Sequence, residues 1–146
     1  MRNRRLKPVG IDWWIEKLNK NMERICDEED PPMNFRIEEL NNQMARMPFK
    51  EFQFLEKITG KDFTAICLSS DVVSGVTEDY YKMFPALLNT LELMKYNRCV
   101  EWMREMCLPG SRFHGTFGEF LDLLKKIIKT IYDEYKKGEY YAIFYG

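Results

Sequence analysis

The C-terminal stretch from Phe117 to Gly146 constrains the fold of this chain more than any other part of it. Apolar residues fall at 117, 120, 121, 124, 127, 128, 131, 132 and 135, the i, i+3, i+4 recurrence of a helix that buries one wide face. Thr116-Phe-Gly-Glu119 has the capping-box arrangement that starts such a helix, and Gly138 follows its end. Asp122 with Lys126 and Asp133 with Lys137 are spaced as i, i+4 pairs on its outer face. The residues after Gly138 behave differently. Tyr140-Tyr141-Ala142-Ile143-Phe144-Tyr145 is apolar at both parities, so an extended tail needs a wall on each side. Either it pairs inward or it belongs to a partner, and because the helix before it already supplies a full core face, the partner is the expectation.

The preceding segments also read as helices. Asp12 to about Cys26 carries Ile11, Trp14, Ile15, Leu18, Met22 and Ile25 on one face, with Asp12 as its cap. Trp13 and Trp14 cannot share that face, which leaves one indole as a flank residue or a contact anchor. Asp30-Pro31-Pro32 ends the segment. A second helix is expected over about Asn34 to Met47, with the stripe Met33, Ile37, Leu40, Met44, Met47. Pro48 fits the first turn of a third helix, through Phe52, Leu55 and Ile58, which Gly60 stops. Phe63 to Leu68 suits a short helix capped by Asp62 or a buried strand, and Val72 to Val76 suits a strand or a loop. From Glu78 to Leu108 the pattern is helical again, capped by Thr77 and interrupted or restarted at Pro85. The expected fold is a single mainly α domain over residues 1–146, a bundle of about five to six helices with a short C-terminal strand or extended tail. A basic arm (1–9) and the aromatic tail (138–146) flank it.

Composition narrows the function classes. Net charge is −1, which provides no overall field for nucleic acid or anionic lipid. Charge is locally segregated, however: Arg2, Arg4, Arg5 and Lys7 make a basic N-terminus, and Lys125, Lys126, Lys129, Lys136 and Lys137 a mostly basic face on the last helix. The four cysteines, at 26, 67, 99 and 107, form no CxxC pair and read as buried thiols of a reducing compartment. Asp12, Glu16 and Lys17 interrupt any secretory apolar stretch, and no apolar run is long enough for a membrane span. A soluble, cytoplasmic protein is the expectation.

No arrangement of residues announces catalysis. Cys107 and His114, the one histidine, make the sharpest nucleophile pair available, with nothing around them to mark either as activated. No metal is expected, because one His and dispersed Cys lack zinc-ligand spacing, and no cofactor, because no glycine-rich phosphate loop is present. Aromatic residues make up 14% of the chain, with nine Met, types that fill cores and also anchor contact surfaces. The reading that joins these features is a non-enzymatic protein-interaction protein. It would be either a self-assembling structural subunit or an inhibitor that binds another protein, contacting its partner through Trp13, Tyr140, Tyr141, Ile143, Phe144 and Tyr145. In general style it resembles many virus-borne and mobile-element proteins, such as assembly factors, connectors and inhibitors of host defence. The alternatives are a nucleic-acid-associated protein using Arg2, Arg4, Arg5 and Lys7 with the lysine face of the last helix, and a small Cys/His enzyme.

Overall fold

The computed structural model describes residues 10–25, 32–94 and 117–146. Their centre is not a helical bundle. It is a three-stranded mixed sheet, β1 (Trp13–Lys17), β2 (Cys67–Ser69) and β3 (Tyr141–Tyr145), in the order β1-β3-β2. β1 runs antiparallel to β3, with Trp13 opposite Tyr145 and Lys17 opposite Tyr141. β2 runs parallel to β3, with Cys67 opposite Ile143. Helices α1 (Phe35–Gln43), α2 (Phe49–Thr59), α3 (Glu78–Lys82), α4 (Phe84–Glu92) and α5 (Phe117–Lys136) surround the sheet. The expected bundle of five to six helices is therefore corrected on two counts: its first helix is a strand, and its tail is the central strand.

The first correction has a simple cause. A helix over 12–26 would bury one stripe and leave Trp13 off it, whereas a strand sends Trp13 and Trp14 to opposite faces. Here both faces are covered, and both indoles are buried. Trp13 packs edge-on against Phe52 of α2, ring centres 5.7 Å apart. Trp14 donates from its indole N–H to Glu16 on its own face at 3.0 Å. After Leu18 the chain turns: the Asn19 side chain accepts from the Asn21 and Glu23 amides, a local bond that competes with helix.

The outer edge of β1 is closed by α1 and the residues that follow it. The Asn41 amide clamps Ile15, accepting from its N–H at 2.7 Å and donating to its carbonyl at 2.9 Å. Trp13 N–H then donates to Ala45 O, and Met47 N–H to Ile11 O. This is why α1 stops at Gln43, before the expected Met47: the backbone beyond it is extended to pair with β1, while Met44 and Met47 of the expected stripe stay buried. α2 follows expectation and ends at Gly60 in the left-handed conformation (φ 74°) that glycine adopts without steric cost. Phe63–Ile66 is a single 3-10 turn that leads straight into β2, so the segment between helix and strand readings contains both. Residues 72–76 are loop, joined to the 22–24 return by Glu23–Gly75 bridging. Pro85 sits in the first turn of α4, where its missing N–H costs nothing.

α5 matches its expected span. Phe120, Leu124, Ile127, Ile128 and Ile131 are fully buried in the core it shares with the sheet. Gly138 (φ 84°) reverses the chain after it, and Glu139 N–H donates back to Glu134 O. That reversal delivers Tyr141 to Phe144 into the centre of the fold, with every one of the four at most 1% exposed. The tail needed two walls, and its own chain supplies both.

Candidate functional site

The sequence-derived contact set divides sharply. Trp13, Tyr141, Ile143 and Phe144 are core residues, which removes the premise that they meet a partner. Tyr140 is half-buried and leans on Tyr81 and Tyr135, ring centres 6.2 and 6.1 Å away. Tyr145 lines a concave surface. Arg2, Arg4, Arg5 and Lys7 lie outside the described residues, as do Cys107, His114 and Thr116.

Tyrosine hydroxyls near β3 serve its backbone. β2 is three residues long, so it cannot pair the whole of β3's second edge. Tyr80 and Tyr81 complete it: the Tyr80 hydroxyl accepts from Ile143 N–H at 3.1 Å and donates to Ile66 O at 2.7 Å, and the Tyr81 hydroxyl donates to Tyr141 O at 2.8 Å. Burial pushes both phenols up from their ordinary range. They stay protonated near neutral pH as donors, not as acid–base catalysts. Burial, with the Asp62 charge second, likewise pushes the Cys67 thiol up, away from the thiolate a nucleophile needs.

The concave surface lies between α2 and the end of β3. It is a cleft of about 300 Å³ lined by Met47, Phe49, Phe52, Gln53, Glu56, Asp62, Thr64 and Tyr145. Its floor is the core itself, Met47 and Phe52 being 1% and 2% exposed. Phe49, at 37% exposure, stands as one wall and meets the Tyr145 ring edge-on at 5.8 Å. Ile11, 40% exposed, lies outside the cleft lining and is tied to it only through its carbonyl, which accepts from Met47 N–H. The rim is polar. Asp62 is oriented by accepting from Thr64 N–H at 2.9 Å, and Glu56 and Gln53 are exposed on the outward side of α2. Of these residues only Tyr145 belonged to the set drawn from sequence. Phe49 went unnoticed because one exposed apolar residue in a helix carries no signal by itself, and Ile11, expected on the buried stripe of the first helix, is 40% exposed.

No family model, curated protein or solved structure matches this chain. At the lower bound of ligand-pocket volumes, about 300 to 1,000 Å³, the cleft admits one or two side chains rather than a large cofactor. Among the described residues no group of His, Cys, Asp and Glu is arranged to hold a metal ion, and no helix is long and apolar enough to cross a membrane.

A second surface, of opposite charge, lies on α5. Asp133 is approached by Arg36 at 3.7 Å, Lys129 at 3.9 Å and Lys136 at 3.7 Å. The expected partner of Asp133, Lys137, goes to Glu134 instead, at 3.4 Å. Phe35, next to Arg36 at the start of α1, is 71% exposed. One carboxylate among three cations leaves this patch net positive.

Proposed function

We propose that the chain is a non-enzymatic interaction protein, a self-assembling subunit or an inhibitor of another protein, and that it grips its partner at Phe49 and Tyr145 on the α2–β3 cleft. The observation that carries this reading is the contact of two partly exposed aromatic side chains, Phe49 and Tyr145, at the wall of a concavity whose floor is buried core. Aromatic anchors beside a preformed pocket have the properties of interface hot spots: large apolar area, few rotatable bonds and little ordering cost on binding. The wider aromatic tail supports the role indirectly, by holding Tyr145 at the end of a buried strand.

Light scattering separates the two forms of the proposal. A self-assembling subunit has a concentration-dependent mass that Phe49→Glu reduces to that of the monomer; an inhibitor is monomeric with or without the substitution. For the inhibitor, a photo-crosslinking residue at position 49 should capture a protein that the same residue at exposed Val73 does not. A constant monomeric mass together with equal capture at the two positions refutes the reading.

The cation cluster around Asp133, beside Phe35, favours a second reading, nucleic-acid association. Oligonucleotide binding that falls steeply with salt and weakens in Lys129→Ala with Lys136→Ala would support it. Absence of binding at roughly 50 mM salt would remove it.

A further inference from the structure

We infer that the α2–β3 cleft receives an extended, arginine- or lysine-bearing segment of another protein. This rests on the interaction reading above and specifies the chemistry of the partner.

The charge of the rim points to a cationic occupant. Its ionisable groups are the carboxylates of Glu56 and Asp62, and no Lys or Arg lines the cleft. Glu56 makes no ion pair among the described residues, and Asp62 spends Oδ1 on its bonds to Thr64. Its second oxygen remains directed by that anchored geometry, so a cation meets an acceptor whose position is already set. Phosphates and acidic peptides are repelled by the same pair.

The apolar part of the cleft suits the rest of such a side chain. Lys and Arg lay their methylene stems along apolar surface and carry the charged head to its edge. Phe49 and Tyr145 are in edge-to-face contact at 88°, and the ring surface that this contact leaves exposed adds attraction for a guanidinium or ammonium at the cleft. Gln53 on the rim has both a donor and an acceptor for the main chain of an extended segment. A globular surface cannot enter a cleft of about 300 Å³; single side chains projecting from an extended segment can. This chain's own N-terminus competes for the assignment. Arg2, Arg4, Arg5 and Lys7 precede Gly10 and Ile11 in the sequence, and the Ile11 carbonyl accepts from Met47 of the cleft floor. The experiment below distinguishes the two sources.

The full-length, isotope-labelled chain is titrated with a capped peptide of alternating Arg and Leu, and separately with the same peptide carrying Glu for Arg. Amide shifts should concentrate on Phe49, Gln53, Glu56, Thr64 and Tyr145 with the basic peptide only. Glu56→Gln combined with Asp62→Asn should weaken it by roughly tenfold or more, as expected for loss of charge-assisted bonds, while Lys129→Ala leaves it unchanged. Asn at position 62 keeps the bond to Thr64 N–H, and the unliganded spectrum verifies the fold of each variant. Equal binding of the two peptides, or unchanged affinity in the double variant, overturns the proposal. If the basic peptide binds only after Arg2, Arg4, Arg5 and Lys7 are changed to Ala, the occupant is this chain's own arm, and assignment to another protein is overturned. Failure of the peptide alongside selective crosslinking at position 49, or alongside a concentration-dependent mass, removes the partner chemistry alone; failure of both peptide and crosslinking in a chain of constant monomeric mass removes the interaction reading with it.

Discussion

β3 begins and ends with tyrosine, and the two residues have opposite fates. Tyr141 and Tyr145 share a strand, a parity and a cross-strand partner strand. Tyr141 is 1% exposed, its hydroxyl accepts from Asn34 N–H at 3.0 Å, and its carbonyl accepts from Tyr81. Tyr145 is half-buried against Phe49 and faces the cleft. Residue type and strand position are alike, so the difference comes from what crosses each end. The start of β3 lies under the α1 N-terminus and Tyr81 of α3, whereas α2 passes its end at an offset that leaves a gap. Interior and contact surface are thus two ends of one strand, which makes the contrast open to experiment.

The largest expected effect comes from removing the strand. Truncation after Gly138 deletes Tyr141, Ile143 and Phe144, each buried, and each worth about 3 to 5 kcal/mol on truncation if aromatic, somewhat less for Ile. Their sum rivals a domain's total stability of about 5 to 15 kcal/mol. The truncated chain should be unfolded by circular dichroism and amide dispersion. A folded truncation product would show that the sheet is dispensable and would return the tail to a partner.

A finer contrast removes only the hydroxyls. Tyr141→Phe leaves the Asn34 N–H without its acceptor, and Tyr81→Phe leaves the Tyr141 carbonyl without that donor; each should cost about 1 to 3 kcal/mol, read from urea unfolding. Tyr145→Phe should stay within about 0.5 kcal/mol. Equal costs at positions 141 and 145 would mean that the two ends do not differ in polar satisfaction.

Complete truncation at the open end should be mild. Tyr145→Ala forfeits part of the roughly 1.5 to 3 kcal/mol that full burial of a large apolar side chain contributes, and melting should fall only slightly. Partner binding should fall far more. Loss of stability comparable to that of Tyr141→Ala would place Tyr145 in the core and remove it from the interface.

The smallest effect concerns the entry to the strand. Lys17 and Lys20 contact Glu139 at 3.1 and 3.2 Å, and their hydrogen bonds hold its carboxyl below the usual range. On Lys17, burial lowers the pKa, but the hydrogen bond and charge of Glu139, with Tyr141, outweigh it and leave the ammonium raised. A lowered carboxyl contributes stability above its unfolded value of about 4.3 and loses it as pH falls through the folded value. Glu139→Gln should therefore lower the melting temperature slightly at neutral pH, and wild type and variant should converge in acid. High salt should narrow the gap as well. A difference that persists in acid would trace to packing instead of charge.

How far the fold was legible depended on the period and cover of each segment. α5 was readable almost to the residue, because a long 3.6-residue period with a terminal glycine has one solution. α2 and its stop at Gly60 were readable for the same reason. Trp13 to Leu18 was misread because its apolar positions also fit a helical stripe, and a segment this short carries too few repeats to separate the periods. The Trp13–Trp14 pair held the better clue: two adjacent large aromatics that both need burial favour a strand with two covered faces. Arg24 was invisible as a structural residue. Its guanidinium lies 4.1 Å over the Phe144 ring, pairs with Glu16 at 2.9 Å and donates to the Ser70 carbonyl, partners that come together only when the sheet forms.

The sequence alone determined that 117–136 would be helix, that the residues after Gly138 needed a wall on each side, and that Trp13 and Trp14 could not share one face. These are properties of local spacing, which the chain carries with it in any environment. The choice of walls was left to tertiary structure. Pairing Trp13 with Tyr145 and Cys67 with Ile143 joins residues more than seventy positions apart, and no local preference encodes that choice; it follows from which long-range assembly buries the most apolar surface while leaving the fewest backbone groups unpaired. The same assembly set α2 across the end of β3, and so made Tyr145, rather than the tail as a whole, the aromatic residue left facing outward at the cleft.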